Sequence, residues 1–500
     1  MRQLQRCLIA FALGLVAAGC SLNPVSRRPE VVFVSEEQEV EAGQEAAEMV
    51  ASEMGLVQDA ALTAYVAAIG ERVAAYAPQR DLTYSFGIID QDEPNAFALP
   101  GGYVYVSRGL LAIANSEDEL ANVIAHEVVH VAARHHAQRQ ARATGAGLLA
   151  LPGLLAGALI PGPLGELVTA SVAVAGGGVL AGYSRSQELE SDRVGQQMAA
   201  QAGYQPKALA DFLATLERDS ALRLERLGEE RSMPGFFDTH PSTPKRASQA
   251  AERAGGIAWT AQPAIAGGRN GFLRRLDGVL VGENPSEGVF EGQRFLHPAL
   301  DLTLVFPDGW KTVNTRRTVG AFSEQGDLQI ALQHQGPGKD PREASAAFFH
   351  EVSEQTQIEV ARLDAVEING LRAVRGQAVA SGSRGPLSLD LTWIAHGGSI
   401  YLISGLVGKD YTDEHRALFG RVVHSFRPLE PGEREGIREA RLRVRAARAA
   451  EDLESLGRRT QNAWDVEQTA TANALSRGVV LAEGQLVKIS QQQGYRGSGR

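Results

Sequence analysis

The sequence predicts a multidomain protein. A mainly α-helical (α+β) domain spans residues 36–256, an α+β domain with an antiparallel sheet spans 296–428, and a small helix-containing module spans 462–489. Three observations support this. Five hundred residues are enough for two to four separate cores. Apolar residues recur at helical spacing through most of the first half. From about residue 296, short runs alternate apolar and polar, as half-buried strands do. The composition is globular, and the formal net charge of −10 argues against a general nucleic-acid role.

The N-terminus "MRQLQRCLIAFALGLVAAGC" has two arginines, an apolar run and small residues ending at Cys20, which is a secretory signal layout. The ending "AAGC" resembles a bacterial lipobox. That resemblance implies a signal peptide over 1–20, lipidation of Cys20 and, with Ser21 rather than Asp next, the periplasmic side of the outer membrane. A plain cleaved signal or an N-terminal membrane helix are the alternatives, although the run is short for a span. Several acyl chains anchor stably where one does not. The chain has two cysteines, Cys7 and Cys20, so such maturation would leave none for a disulfide. Residues 21–35 read as a tether.

Residues 36–78 read as two helices, the second over "DAALTAYVAAIGERVAAYA". "LTYSFGIID" and "GGYVYVS" are strand-like and flank the loop "QDEPNAFALPGG". Ser116 followed by Glu119 is a capping-box signature. It opens a helix that carries "VIAHEVVHVAARHH", residues 123–136. Residues 144–183 are almost uncharged, and Pro161, Pro163 and Glu166 divide them into halves too short to span comfortably. A buried helical hairpin, a membrane-dipping or substrate-facing flap, and a transmembrane hairpin all remain open there. "SRSQELESDRVG" begins another helix, and "FFDTHPSTPKRASQAA" is a loop entering a further one.

Residues 257–295 read as an irregular, Gly-rich connector. The 296–428 domain has strand runs such as "LDLTLVF" and "LSLDLTWIAH", with helices near 341–356 and 411–424. Its element order is similar to that of PsbP/Mog-like modules. Residues 429–457 read as a charged helix with Arg434, Arg438, Arg441, Arg445 and Arg448 on one stripe, either solvated or meeting anionic lipid or glycan. A helix pair followed by "GQLVKI" within 462–489 looks like a LysM module, which implies peptidoglycan binding. The tail, 490–500, reads as disordered.

The chemistry centres on His126 and His130. At i and i+4, their imidazoles leave one helix face. Glu127 beside them suits a general base acting on water at a metal. A catalytic zinc usually takes a third protein ligand. Glu188 is the candidate, with Asp192 one turn later placed to hydrogen-bond a ligand histidine. Taken alone, Glu188 reads better as a surface salt-bridging carboxylate, and Glu190 points off that face. His135 and His136 would need a distorted helix to reach the metal and are left out of the site.

Four segments in order, "NAFALPGGYVYVSRGLL", "ELANVIAHEVVHVAARH", "SRSQELESDRVG" and "THPSTPKR", resemble the HtpX/Oma/CAAX-prenyl-protease family of gluzincin zinc metalloproteases, in particular its periplasmic BepA/LoiP-like branch. The resemblance covers roughly residues 30–255. It implies a metalloprotease fold and one Zn2+ per chain held by His126, His130 and Glu188, with Glu127 as catalytic base. His240 by itself reads as an ordinary loop histidine; in the context of the resemblance it could instead cap the open metal position or stabilise the oxyanion. Arg246 would hold that loop or polarise a carbonyl. Asn95, Ala96, Phe97, Gly101 and Gly102 would lie where an extended substrate adds as a strand. The expected function is a zinc-dependent endopeptidase of the bacterial envelope, cutting misfolded or misassembled periplasmic and outer-membrane proteins. The alternative is a latent protease that acts as an assembly chaperone or scaffold. A cell-wall hydrolase is a third reading, suggested by the LysM-like end alone.

Overall fold

The computed structural model describes residues 20–32, 34–78, 82–139, 182–227, 235–241, 245–316, 318–355, 357–382, 385–408 and 411–497. The expected signal peptide, up to residue 19, and nearly all of the apolar 144–183 segment lie outside the described residues. Among the described residues, no helix is long and apolar enough to cross a membrane.

The stretch expected to be a tether is instead packed. β1 (Cys20–Leu22) and β2 (Pro29–Val31) form a small antiparallel hairpin. Buried Asn23 caps its turn by accepting from Val25 and Ser26 N–H, and its amide donates to Ala133 O. α1 (Glu36–Glu53) starts at a Ser35/Gln38 capping box, and α2 (Ala60–Ala74) starts at Asp59. Then come β3 (Ser85–Ile89), β4 (Ala96–Leu99) and β5 (Tyr103–Ser107). Their order is β3-β5-β4, with β3 parallel and β4 antiparallel to β5. α3 (Arg108–Ile113) leads into α4 (Glu117–Ala132), the motif helix.

Every residue of α4 from Glu119 onward is buried. A helix buried on all sides lies at the centre of its domain, although this one carries the polar Asn122, His126, Glu127 and His130 inward, and tertiary burial here overrides the modest helix propensity of its five valine and isoleucine positions. Ser116 caps the helix by accepting from Glu119 N–H. The Glu119 carboxylate accepts from Asn115 N–H, one residue earlier than the expected capping box would place it. α5 (Arg185–Gln201), α6 (Ala208–Leu227), the single turn α7 (Phe236–Thr239) and α8 (Arg246–Ala254) complete the surround. One core joins Leu62, Ile69, Val104, Ile124, Val128, Met198 and Phe212.

The expected irregular connector, 257–295, is structured. It contains α9 (Arg269–Arg275), β6 (Leu280–Val281), β7 (Val289–Glu291) and the first half of β8 (Arg294–His297). β7 and β8 pair with β9 (Leu302–Val305), and Phe295 shares a core with Leu302 and Leu304. The second domain therefore begins near residue 285. β10 (Lys311–Asn314), β11 (Thr318–Phe322), β12 (Leu328–Pro337), β13 (Ile358–Ile368), β14 (Leu371–Gly382), β15 (Gly385–His396) and β16 (Ser399–Val407) form its antiparallel sheet. Their order is β10-β11-β12-β16-β15-β14-β13. α10 (Pro341–Gln355) sends Phe348 and Val352 onto the face bearing Leu391, Trp393 and Leu402. α11 (Asp413–Ser425) sends Phe419 and Val422 onto the opposite face, with Ile394, Tyr401 and Ile403. Neighbouring residues on one strand thus feed opposite cores, as the two-residue strand period requires.

The expected charged helix over 429–457 is also corrected. It consists of a short α12 (Pro431–Gly436), strand β17 (Arg438–Ala446) and the start of α13 (Leu453–Thr460). α14 (Val466–Ala472) and β18 (Leu486–Gly494) follow. Only α14 of the expected helix pair lies within 462–489, and residues 490–494, expected to be disordered, lie in β18. The module is β-α-α-β, with β17 antiparallel to β18 and β6 along β17's other edge. It is joined to the first domain. Leu442 and Leu486 enter that domain's core, and fully buried Lys488 donates to Ala114 O, just before α4.

Candidate metal centre

Two helices, α4 and α5, build the site, and a loop closes it. α4 presents His126, Glu127 and His130, and α5 presents Glu188 and Asp192 one turn apart. All are essentially removed from solvent. The helices approach closely because Gly195 of α5 lies against the backbone of Ala125 and His126. The third contributor is His240, just after α7. Its ring stacks on Phe236 with centroids 4.4 Å apart, and its carbonyl accepts from Arg246.

The donor atoms converge. His126 Nε2 lies 3.0 Å from His130 Nε2 and 3.3 Å from His240 Nδ1. Glu188 Oε1 lies 3.1 Å from His240 Nδ1 and 3.5 Å from His130 Nε2, and Glu188 Oε2 lies 3.5 Å from His126 Nε2. One atom from each of His126, His130, Glu188 and His240 falls within 4.8 Å of all the others. A tetrahedron with zinc–ligand bonds of about 2.0–2.1 Å has edges of about 3.3–3.4 Å; the separations that join His126 Nε2, His130 Nε2, His240 Nδ1 and Glu188 Oε1, from 3.0 to 3.5 Å, lie close to that length.

Charge agrees with geometry. Ionised Glu127, Glu188 and Asp192 bring three negative charges into a dry interior, and Arg246 offsets one. Its Nε and Nη2 form a fork to Asp192 at 2.9 and 2.7 Å, and Nη1 lies 2.9 Å from Glu188 Oε2. With the histidines neutral, as metal ligands must be, and Glu127 ionised, the remaining two would balance a divalent cation, and imidazole with carboxylate suits zinc.

The local electrostatics follow from the same contacts. Burial works against ionisation of Asp192, but the His126 hydrogen bond and the Arg246 charge outweigh it and hold Asp192 at about 2. Glu188 is likewise lowered, with burial outweighed by His240 and His126. Burial also opposes protonation of His126, yet Asp192 and Glu188 raise it to about 9. Glu127 is raised, mainly by burial, with His240 and His126 opposing. Both Glu127 carboxylate oxygens are buried without a hydrogen-bond partner, and Oε1 lies 3.5 Å from His240 Nε2. A buried carboxylate with unused acceptors and a raised pKa is suited to taking a proton.

Comparison with known proteins places this centre in a family. The model of peptidase family M48 matches residues 60–254. Residues 60–254 are a peptidase family M48 domain. The chain aligns with mitochondrial metalloendopeptidase OMA1 of Schizosaccharomyces pombe, at 33% identity over 45% of this chain and 63% of that one. It also aligns with the β-barrel assembly-enhancing protease of Escherichia coli K12, at 32% identity over 40% of each chain. The chain thus spans 40–63% of the length of these two relatives. Among solved structures, cyanobacterial PsbP of Synechocystis sp. PCC 6803 is matched at 15% identity over 30% of this chain and 98% of that one, with TM-score 0.24.

The expected strand-addition segment lies beside the M48 site, but its side chains are not displayed. Asn95, Ala96 and Phe97 are buried, and Phe97 packs in a small core with Val50, Ile89 and Tyr105. Gly101 and Gly102 adopt positive φ, and a Cβ on Gly102 would lie 2.5 Å from Thr83 O, so close packing requires glycine there. β4 is an edge strand of its sheet. Phe236 N–H bonds to Pro94 O beside it, and His136 Nε2 lies 2.6 Å from Ala98 O.

His135 and His136, left out on sequence grounds, belong to the site's surroundings. α4 stops at Ala132, and Arg134 takes φ +56° before helical turns resume at His135. That kink carries His135 Nδ1 to 2.9 Å from His130 Nδ1, and His136 Nε2 to 2.6 Å from the Tyr183 hydroxyl. Tyr183 stacks on His130 with centroids 3.7 Å apart. The sequence signal for the kink is faint: "RHH" interrupts the apolar period without a Gly or Pro.

Proposed function

We propose that the chain is a zinc-dependent endopeptidase of the bacterial envelope. The observation that carries the chemistry is the convergence of one donor atom each from His126, His130, Glu188 and His240 within 4.8 Å of one another. Zinc bound there would acidify water and polarise a carbonyl. Glu127 takes a proton from the attacking water and delivers it to the leaving amine. Asp192 holds His126 through Nδ1 at 3.0 Å. Arg246 holds Asp192, Glu188 and the His240 carbonyl, so it positions the site rather than facing a scissile bond.

In this reading His240 is the resting fourth ligand, and activity needs it to leave. Outward movement of α7 would also break the Phe236–Pro94 bond and free the approach to β4, where an extended substrate would pair. Envelope location rests on the N-terminal sequence layout, with Cys20 as lipid anchor to the outer membrane. Misassembled outer-membrane or periplasmic proteins are the proposed substrates, by analogy with the relative named for β-barrel assembly. The β-α-α-β order of the C-terminal module supports a LysM-like fold with peptidoglycan as partner, and the 285–428 domain is proposed as PsbP/Mog-like. A second reading, a latent protease acting as a chaperone or scaffold, is favoured by the closed donor set itself.

Elemental analysis of metal beside casein cleavage tests the proposal. Wild type and Glu127→Gln should hold one zinc each, with Glu127→Gln about 10²- to 10⁴-fold slower. His240→Ala should cleave faster than wild type. A His240→Ala protein with zinc but no cleavage of casein or denatured envelope proteins would favour the scaffold reading.

A further inference from the structure

The two α4 histidines are backed unequally. His126 Nδ1 faces the Asp192 carboxylate directly at 3.0 Å. His130 Nδ1 instead faces another imidazole, His135 Nδ1, at 2.9 Å. His135 is fully buried, and its far nitrogen, Nε2, lies 3.2 Å from Glu190 Oε2.

We propose that His135 and Glu190 form a positioning pair for His130, a carboxylate–imidazole extension that fixes its tautomer and aims Nε2 at the metal. The proposal rests on the zinc reading above. Hydrogen assignment along the chain supports it. If His135 Nε2–H donates to Glu190, then His135 Nδ1 is an acceptor. His130 Nδ1–H donates to it, and the His130 Nε2 lone pair points at the other donors. All contacts are satisfied at once. The reverse assignment fails at both ends. It leaves a bare His135 Nε2 lone pair against a carboxylate. It also puts a hydrogen on His130 Nε2, 3.0 Å from His126 Nε2, where a ligand lone pair is needed. Imidazole ligands are generally held by a hydrogen bond at the second nitrogen. Here that role is passed through one extra ring, because Glu190 is on the α5 face turned away from the centre.

The backbone is bent to make this contact. A continuous helix would carry His135 away from His130, since five residues are not one turn. The left-handed Arg134 reverses that, and such a conformation is costly for a residue with a side chain. Arg134 is pinned by Nε to Glu39 at 2.9 Å and by Nη2 to Val34 O at 2.8 Å, while Asn23 holds Ala133 O. The N-terminal hairpin and α1 thus hold the bend that delivers His135.

The test is zinc affinity by chelator competition, with thermal unfolding of each metal-free protein measured in parallel. His135→Ala should bind zinc about 10- to 100-fold more weakly. His135→Asn, whose amide oxygen can replace Nδ1 as acceptor, should recover most of that loss. Glu190→Gln, at a partly exposed position, should weaken binding by a smaller factor with unchanged apo stability. Zinc affinity unchanged in both His135→Ala and Glu190→Gln would overturn the proposal. So would His135→Asn behaving like His135→Ala, because packing rather than hydrogen bonding would then be what His135 supplies. A wild-type protein that binds no zinc would instead overturn the metal reading beneath it.

Discussion

Replacing Gly195 with alanine should weaken the metal centre more than it weakens the fold. A Cβ at Gly195 would lie 3.0 Å from His126 N, 3.1 Å from His126 Cα and 3.2 Å from Ala125 C. These are backbone atoms of a buried helix and cannot rotate aside. Reaching ordinary contact requires α4 and α5 to part by about 0.3–0.5 Å, because carbon atoms pack best at about 3.5–4.0 Å. Overpacking of this kind costs about 1–3 kcal/mol. Relief of the glycine's poor helix propensity returns about 1 kcal/mol. The net loss of apo stability should therefore be about 0–2 kcal/mol. The same parting lengthens every link between the helices. The His126–Asp192 bond, now 3.0 Å, and the 3.5 Å separations of Glu188 from His126 and His130 would open past useful geometry. Zinc affinity should fall about tenfold or more, as when such supporting contacts are lost. Urea unfolding of the metal-free protein and chelator competition measure the two effects separately. A Gly195→Ala protein that is more stable by the full propensity gain and binds zinc as tightly as wild type would refute the close-contact argument.

Three further outcomes are expected. Gly43→Ala would place a Cβ 1.9 Å from Pro100 O, so α1 must lift off the 100–102 turn, and chemical denaturation should show a loss of about 2–3 kcal/mol. His297, lowered to about 4 chiefly by burial, stays neutral in the fold where the unfolded chain, near 6.5, takes up a proton. Stability should therefore be fully present above pH 6.5 and fall by up to about 3 kcal/mol as pH drops to 4, and His297→Gln should flatten that part of the profile. Ending the chain after residue 429 removes Lys488 from Ala114 O and Leu486 from the first core. The thermal midpoint of the M48 domain should drop, whereas an independently attached module would leave it unchanged.

What the sequence determined by itself was local. His126 and His130 share a face because one helical turn separates them, and Ser116 caps that helix because its hydroxyl needs only the next turn's N–H. Glu188 with Asp192 was legible for the same reason. Readings that depended on distant partners went wrong. In "REARLRVRA" the arginines recur both at helical spacing and at every second residue. The strand was decided by β18 and β6, which take up its edges from about forty and one hundred and sixty residues away in sequence. The Gly-rich connector looked irregular because its short strands are ordered only by pairing with β9 and β17. His135 was beyond reach for a related reason. Its place against His130 depends on a left-handed Arg134, and that conformation is held by Glu39 and Val34, far back along the chain. Backbone periodicity is written in neighbouring residues, whereas a strained bend persists only where the surrounding fold holds it, so only the tertiary structure could decide it.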